Sequence, residues 1–334
     1  MIRRIRIFCH PQLDYQQRIQ RGVATVRTGN QADTKEIRVS LFIRPHLCPQ
    51  KKHKMRGQQS VDGESCYMIL RLNIRSLPGP FLIVAPHPDD DVLGNGGLIQ
   101  RAHAIGKTVY VVYVTAGDAN GESVTHYLHK PLVPKSFIQL GYVRHFEAIK
   151  AENFLGTPKS NLFFLGFPDS ITYNIVTDPI RNRVHPSPFT KLMRASYTFA
   201  YQRYAPYTHG SILRLVKSIL QRTKPGTIFV TLKQDTNPDH AASHIIIHQA
   251  VRQMNIHPVI YSYLIHYPHY PNPTGLLQPP AQLRIPNVVS LPLTVRQTNR
   301  TREAYTIMRS QSSLGYYYYR WIRRNELYWR TPLG

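Results

Sequence analysis

The sequence predicts an α/β fold, a Rossmann-like doubly wound and mostly parallel sheet with helices on both faces. Three observations carry it. Short apolar runs such as Phe81–Ala85 and Thr227–Thr231 read as strands buried on both sides. Stretches of helical spacing alternate with them. Residues that can do chemistry gather in the turns where a strand hands over to a helix, the edge at which such sheets bind ligands.

Taken in order, the first strand is Phe81–Ala85, ended by Pro86 and Pro88, which offer no ladder donor. A helix follows from Val92 to Ile105, then a second strand, Thr108–Thr115. Ala116 to Gly121 forms a loop at the same sheet edge, and residues 121–135 are irregular and placed to overhang it. Phe137–Leu155 is a helix that stops at Gly156. Asn161–Leu165 is a third strand. Residues 168–209, rich in Pro, Tyr, Arg and His, read as a long functional loop or small subdomain. A helix (Gly210–Arg222), the Thr227–Thr231 strand, a helix (Pro238–Met254) and a strand (Val259–Ile265) complete the alternation. The run from His266 to Pro273 reads as a proline-stiffened surface loop, or as rings that stack on a sugar. Tyr316–Trp321 reads as core packing or a helix laid on the sheet in preference to a binding platform, with contact to membrane or glycan left open.

The 334 residues carry a formal charge of +24, a field that favours polyanions such as nucleic acid, anionic glycans or a membrane surface. Residues 1–75 hold fifteen Lys/Arg against five acids and little sustained periodicity, so they read as a basic extension to a domain spanning 76–334. An alternative is a working start near Met68. Cys9, Cys48 and Cys66 all lie in this extension and lack metal-ligand spacing, so no disulfide framework supports the domain. No apolar run approaches the ~20 residues of a membrane span, and no secretory h-region is visible, so the expected location is the cytoplasm.

His87, Asp89, Asp90 and Asp91 crowd the first strand-to-helix turn. Imidazole nitrogen and carboxylate oxygen together suit a divalent metal, usually zinc. His87 and Asp90 are three apart, so a tight turn can aim both at one point and leave Asp89 free as a general base. The bland alternative is a solvated acidic turn that caps a helix. A metal site needs a third ligand, and His240, after the second buried strand and at the start of a helix, is the candidate; Asp235 and Asp239 could orient a ligand. His244 and His248 share the face of His240 but have no Glu base between them, and read as packing or surface residues.

On these motifs the chain resembles the PIG-L/LmbE-type zinc-dependent N-acetylglucosaminyl deacetylases. Pro86 to Gly97 matches the family's first motif and Asp235 to His240 its last. Between and after them, Thr115–Asp118, Arg144 with Glu147, Leu165–Asp169, Ser310-Gln311 and Asn325–Tyr328 are also similar. The resemblance covers about residues 78–330. It implies His87, Asp90 and His240 as zinc ligands, Asp89 as general base, and Arg144 and Asp169 as partners of sugar hydroxyls. Two positions depart from the pattern: Asp91 stands where the family usually has Glu, and Asn237 where it usually has His. Asn can donate a hydrogen bond to an oxyanion but cannot shuttle a proton at neutral pH.

The expected function is therefore a metal-dependent hydrolase that removes the N-acetyl group from an N-acetylglucosamine-type sugar or conjugate, whose charge complements a basic protein. Zinc is the expected metal and Fe²⁺ the alternative. Asn237 would help the oxyanion, and Asp89 or Asp239 would return a proton to the amine. Two other readings compete: a non-catalytic metal- and glycan-binding relative, motivated by Asn237, and a polyanion-binding protein that uses the basic arm. Nucleic acid is the less favoured partner.

Overall fold

A computed structural model describes residues 69–315 and 317–331. The basic stretch up to residue 68, its three cysteines and the alternative start at Met68 lie outside the described residues.

Eight strands form one sheet: β1 (Leu70–Arg71), β2 (Phe81–Ala85), β3 (Val109–Thr115), β4 (Leu162–Phe167), β5 (Thr227–Thr231), β6 (Val259–Tyr263), β7 (Val288–Pro292) and β8 (Asn325–Arg330). Their order is β1-β7-β8-β6-β5-β2-β3-β4. The run β6-β5-β2-β3-β4 is parallel throughout. From β2 the chain moves outward through β3 and β4, then returns to add β5 and β6 on the other side. The order therefore reverses between β2 and β5, which are paired from Phe81 with Thr227 to Val84 with Val230. A crevice opens beyond the carboxyl ends of the strands at such a switch point.

The helices are α1 (Asp90–Ala104), α2 (Pro134–Leu155), α3 (Thr172–Thr177), α4 (His209–Thr223), α5 (Pro238–Gln253), α6 (Val295–Ile307) and α7 (Arg309–Ser312). The period-two alternation of β2 separates two cores. Phe81, Ile83 and Ala85 pack with residues of α1, α2 and α6. Leu82 and Val84 pack with α4 and α5 on the opposite face. The helices thus cover both faces, as the strand–helix alternation predicts.

The chain after Ile265 departs from the expectation. β8 runs antiparallel to both β6 and β7 and lies between them. Its Asn325 and Glu326 are buried polar residues, which hides the strand from an apolar pattern. α6 is equally concealed, because its buried stripe is Thr298, Thr301, Ala304 and Tyr305. Glu326 accepts hydrogen bonds from the backbone N–H of Gly97 (2.6 Å) and Leu98 (2.9 Å), fastening β8 to α1. At the other end, Leu72 and Ile74, inside the stretch read as extension, are buried in the main core. Among the described residues, no helix is long and apolar enough to cross a membrane.

Candidate metal centre and its pocket

The turn after β2 and the turn after β5 meet at the switch point. Three side-chain atoms converge there: His87 Nδ1, Asp90 Oδ2 and His240 Nε2. They form a triangle with sides of 3.1 Å (His87–Asp90), 3.1 Å (His240–Asp90) and 3.2 Å (His87–His240). All three residues are buried. A tetrahedral zinc ion with bonds of about 2.0–2.1 Å needs ligand–ligand edges of about 3.3 Å, so this donor set fits a small divalent cation.

The outer face of each imidazole fixes which nitrogen is offered. His240 Nδ1 lies 3.1 Å from Asp235 Oδ2, which leaves Nε2 for the centre. Asp235 is itself held, accepting at Oδ2 from the N–H groups of Ile265 and His266 and at Oδ1 from that of Asn237, all at 3.0 Å. His87 Nε2 faces Asp239 at 3.3 Å and Asp169 at 3.4 Å, which leaves Nδ1 for the centre. Asp239 also accepts from the N–H groups of Ser170 and Thr172, at 2.6 and 2.8 Å. These carboxylates select the tautomer and raise the basicity of the inward nitrogen.

The charge balance points the same way. Burial works against protonation of His240, but Asp235 and Asp90 outweigh it and lift its pKa to about 10. Burial likewise opposes charge on Asp90, and the two imidazoles nonetheless hold its carboxyl well below the usual range. The negative charge gathered around the two imidazoles favours a cation at the centre.

Asp89 sits beside the triangle. Its Oδ1 accepts from Arg144 Nη2 at 2.7 Å, and both residues are buried. Burial raises the Asp89 carboxyl, with the guanidinium pulling it back down. Arg144 also donates to the Gly117 carbonyl at 3.1 Å. A Cβ at Gly117, where φ is +65°, would stand 2.7 Å from the guanidinium carbon, so this turn requires glycine.

A pocket of about 220 Å³ opens over the triangle. That is below the ~300–1,000 Å³ of drug-sized ligand sites and suits a single small group such as one sugar ring. His87, Asp89, Asp90, Arg144, Asp169 and Asn237 all line it. Asn237 caps α5, its Oδ1 accepting from the Asp239 N–H at 2.9 Å, so its amide nitrogen is the end left for a ligand. Asp239 and His240 are more deeply buried and do not reach the wall. His244 Nδ1 faces the Thr231 carbonyl at 3.0 Å and its ring stacks on His248, so this pair packs away from the centre.

Three further participants line or brace the pocket, the first from the run whose rings the sequence offered as an alternative to a surface loop. His266 lines the pocket and packs edge-on against His240, so the Pro-rich run is more than a surface loop. Tyr318, within the aromatic run read as packing, is a pocket wall as well. Asp118, quoted with its motif but given no role, accepts from the Tyr197 hydroxyl (2.5 Å) and the Asp169 N–H (3.1 Å) and so anchors the loop carrying Asp169. The Ser310-Gln311 motif has its partner in Glu147, which accepts from the Ser310 N–H and hydroxyl at 2.8 and 2.5 Å.

Comparison with known proteins bears on the family and the fold. The family model described as PIG-L, GlcNAc-PI de-N-acetylase, matches residues 82–254. Among solved structures, a deacetylase of teicoplanin biosynthesis is similar at 17% identity and a TM-score of 0.52, over 75% of this chain and 98% of that one. The A40926 pseudoaglycone deacetylase is similar at 18% identity and 0.52, over 75% and 96%. A zinc-inhibited form of teicoplanin deacetylase is similar at 18% identity and 0.52, over 75% and 98%. At these identities the likeness is one of fold. No curated protein matches the chain.

Proposed function

The chain belongs to the PIG-L family of GlcNAc-PI de-N-acetylases, and on that premise we propose that it hydrolyses the N-acetyl group of an N-acetylglucosamine-type sugar or conjugate. The observation that carries the proposal is the His87–Asp90–His240 triangle, with a pocket above it and Asp89 on the pocket wall. These three residues would hold zinc, with Fe²⁺ as the alternative. When bound, the metal supplies Lewis acidity and acidifies water.

The chain's own groups do the rest. Asp89 takes a proton from the water that attacks the acetamide carbonyl carbon. Arg144, bound to Asp89 Oδ1, keeps that carboxylate in place and leaves Oδ2 for the proton. The Asn237 amide N–H donates to the carbonyl oxygen as it becomes an oxyanion. As the C–N bond breaks, Asp89 returns its proton to the departing amine, giving acetate and a free amino sugar. Asp169 and Ser170, which also line the pocket, are assigned to hydrogen-bond sugar hydroxyls.

The contacts support two changes from the sequence-based roles. Arg144 is committed to Asp89, so we assign it to position the base rather than to grip the sugar. Asp239, occupied by two backbone N–H groups and His87, is assigned to orient that ligand rather than to supply a proton. Asn237 favours a second reading, a relative that binds metal and glycan without turnover, because an amide cannot shuttle a proton. Release of acetate and free amine from N-acetylglucosamine conjugates by the metal-loaded protein separates the two readings.

A further inference from the structure

A second cavity, of about 500 Å³, lies at the far end of α1, lined by Arg71, Asn73, Arg75, Arg101 and Gln297 with apolar residues between them. Arg101 is eleven residues along α1 from Asp90, which places it about 16 Å from the metal triangle. We propose that this cavity is a binding site for a phosphate-bearing ligand, separate from the catalytic pocket.

Its lining is all donor. No acidic residue contributes to it. Among the described residues the arginine ion pairs are Arg144–Asp89 and Arg183–Asp178, so none belongs to Arg71, Arg75 or Arg101. Arg101 donates from Nη1 to the Pro292 carbonyl at 2.7 Å, which steadies its guanidinium with Nη2 and Nε left over. Both amides have turned their oxygens inward. Asn73 Oδ1 accepts from the Arg75 N–H at 3.2 Å, and Gln297 Oε1 from the Thr294 N–H at 3.0 Å. Each therefore offers only its NH₂ group to a ligand. Gln297 also stands in the first turn of α6, where the helix dipole is positive.

Three guanidinium groups brought together repel one another, and Glu326, whose carboxylate is engaged by the N–H groups of Gly97 and Leu98, offsets only part of that at Arg101. Burial, then Arg71 and Arg75, lowers the pKa of half-buried Arg101, with Glu326 pulling it part of the way back. An anion would relieve that repulsion. Guanidinium forks match a phosphate's several oxygens, and a multiply charged tetrahedral anion uses more of these donors than a carboxylate can. The ligand chemistry is a phosphoester, either a soluble one or the headgroup of a lipid.

The test uses the full chain with two probes, glycerol phosphate and phosphatidylcholine vesicles with or without phosphatidylinositol phosphate. Saturable binding of glycerol phosphate assigns a soluble phosphoester. Binding confined to the vesicles that carry phosphatidylinositol phosphate assigns a lipid headgroup. In either case the Arg71→Gln/Arg75→Gln double variant, at two exposed side chains, weakens binding by roughly tenfold or more. Arg101→Gln does the same, and neither variant changes amine release from a soluble sugar. The proposal is overturned if neither probe saturates, or if the double variant binds as tightly as the wild type. Because amine release is read separately, its failure would not be confused with failure of this site.

Discussion

Asp235 never touches the pocket, yet it should control the metal. One carboxylate gathers four donors: His240 Nδ1 at 3.1 Å, and the N–H groups of Ile265, His266 and Asn237 at 3.0 Å. Asp235→Asn keeps the shape but exchanges one acceptor oxygen for a donor. If the amide oxygen stays on the side of Ile265, His266 and His240, its nitrogen confronts the Asn237 N–H, and one backbone donor loses its partner. That costs about 1–3 kcal/mol of stability. His240 also loses the anion that orients it and raises its basicity. Loss of such a partner lowers metal affinity by about 10–100-fold, or about 1.4–2.8 kcal/mol. Zinc affinity measured by competition with a chromogenic chelator, beside urea unfolding of the metal-free protein, reads the two effects separately. A folded variant whose zinc affinity stays within about threefold of the wild type would refute the reasoning.

Three further outcomes follow from the same structure. Asn237→His restores a group able to carry a proton beside the pocket, and should raise the rate constant for amine release by roughly 10²–10⁴-fold if proton supply to the amine is limiting; an unchanged rate in an already active enzyme would mean that Asp89 suffices. Burial lifts the Glu326 carboxyl to about 7 against the hydrogen bonds it accepts, so its contribution to stability is present below its ordinary pKa of 4.5 and is lost as pH rises through 7. Denaturant unfolding should then show wild type losing about 3 kcal/mol relative to Glu326→Gln between about pH 4.5 and 8, and a constant gap would contradict it. In Gly97→Ala the new Cβ would lie 2.4 Å from both Leu293 methyl carbons and 3.0 Å from Glu326 Oε1, so the β8 clamp on α1 must shift, at a cost of about 1–3 kcal/mol in the free energy of unfolding read by urea titration.

The parallel half of the fold was legible because its strands are short, apolar and bounded by proline or polar turns. Phe81–Ala85 and Thr227–Thr231 begin and end where the sequence places them. The meeting of His87, Asp90 and His240 followed from two strand–turn–helix segments and one condition, that their strands be neighbours, which the pairing of β2 with β5 meets. The antiparallel closure was hidden because β8 buries Asn325 and Glu326 and α6 buries threonines. Those polar groups are satisfied by partners far along the chain, such as Gly97 and Leu98 for Glu326, and no local pattern announces them. The committed state of Arg144 was hidden for the same reason. Its motif marks it as functional, but only the fold reveals that Asp89, 55 residues away, already holds its guanidinium. His266 and Tyr318 reach the pocket from segments whose composition is equally compatible with surface loop and core.

The most direct test of the central claim is amine release from a panel of N-acetylglucosamine conjugates, with wild type and Asp89→Asn each carrying one zinc ion per chain. The account predicts fluorescamine-reactive amine and equimolar acetate from the wild type, and near-complete loss in Asp89→Asn with zinc content unchanged. Equal release from both proteins would contradict the role of Asp89. A zinc-loaded wild type that binds the sugars and releases no amine would contradict deacetylation itself.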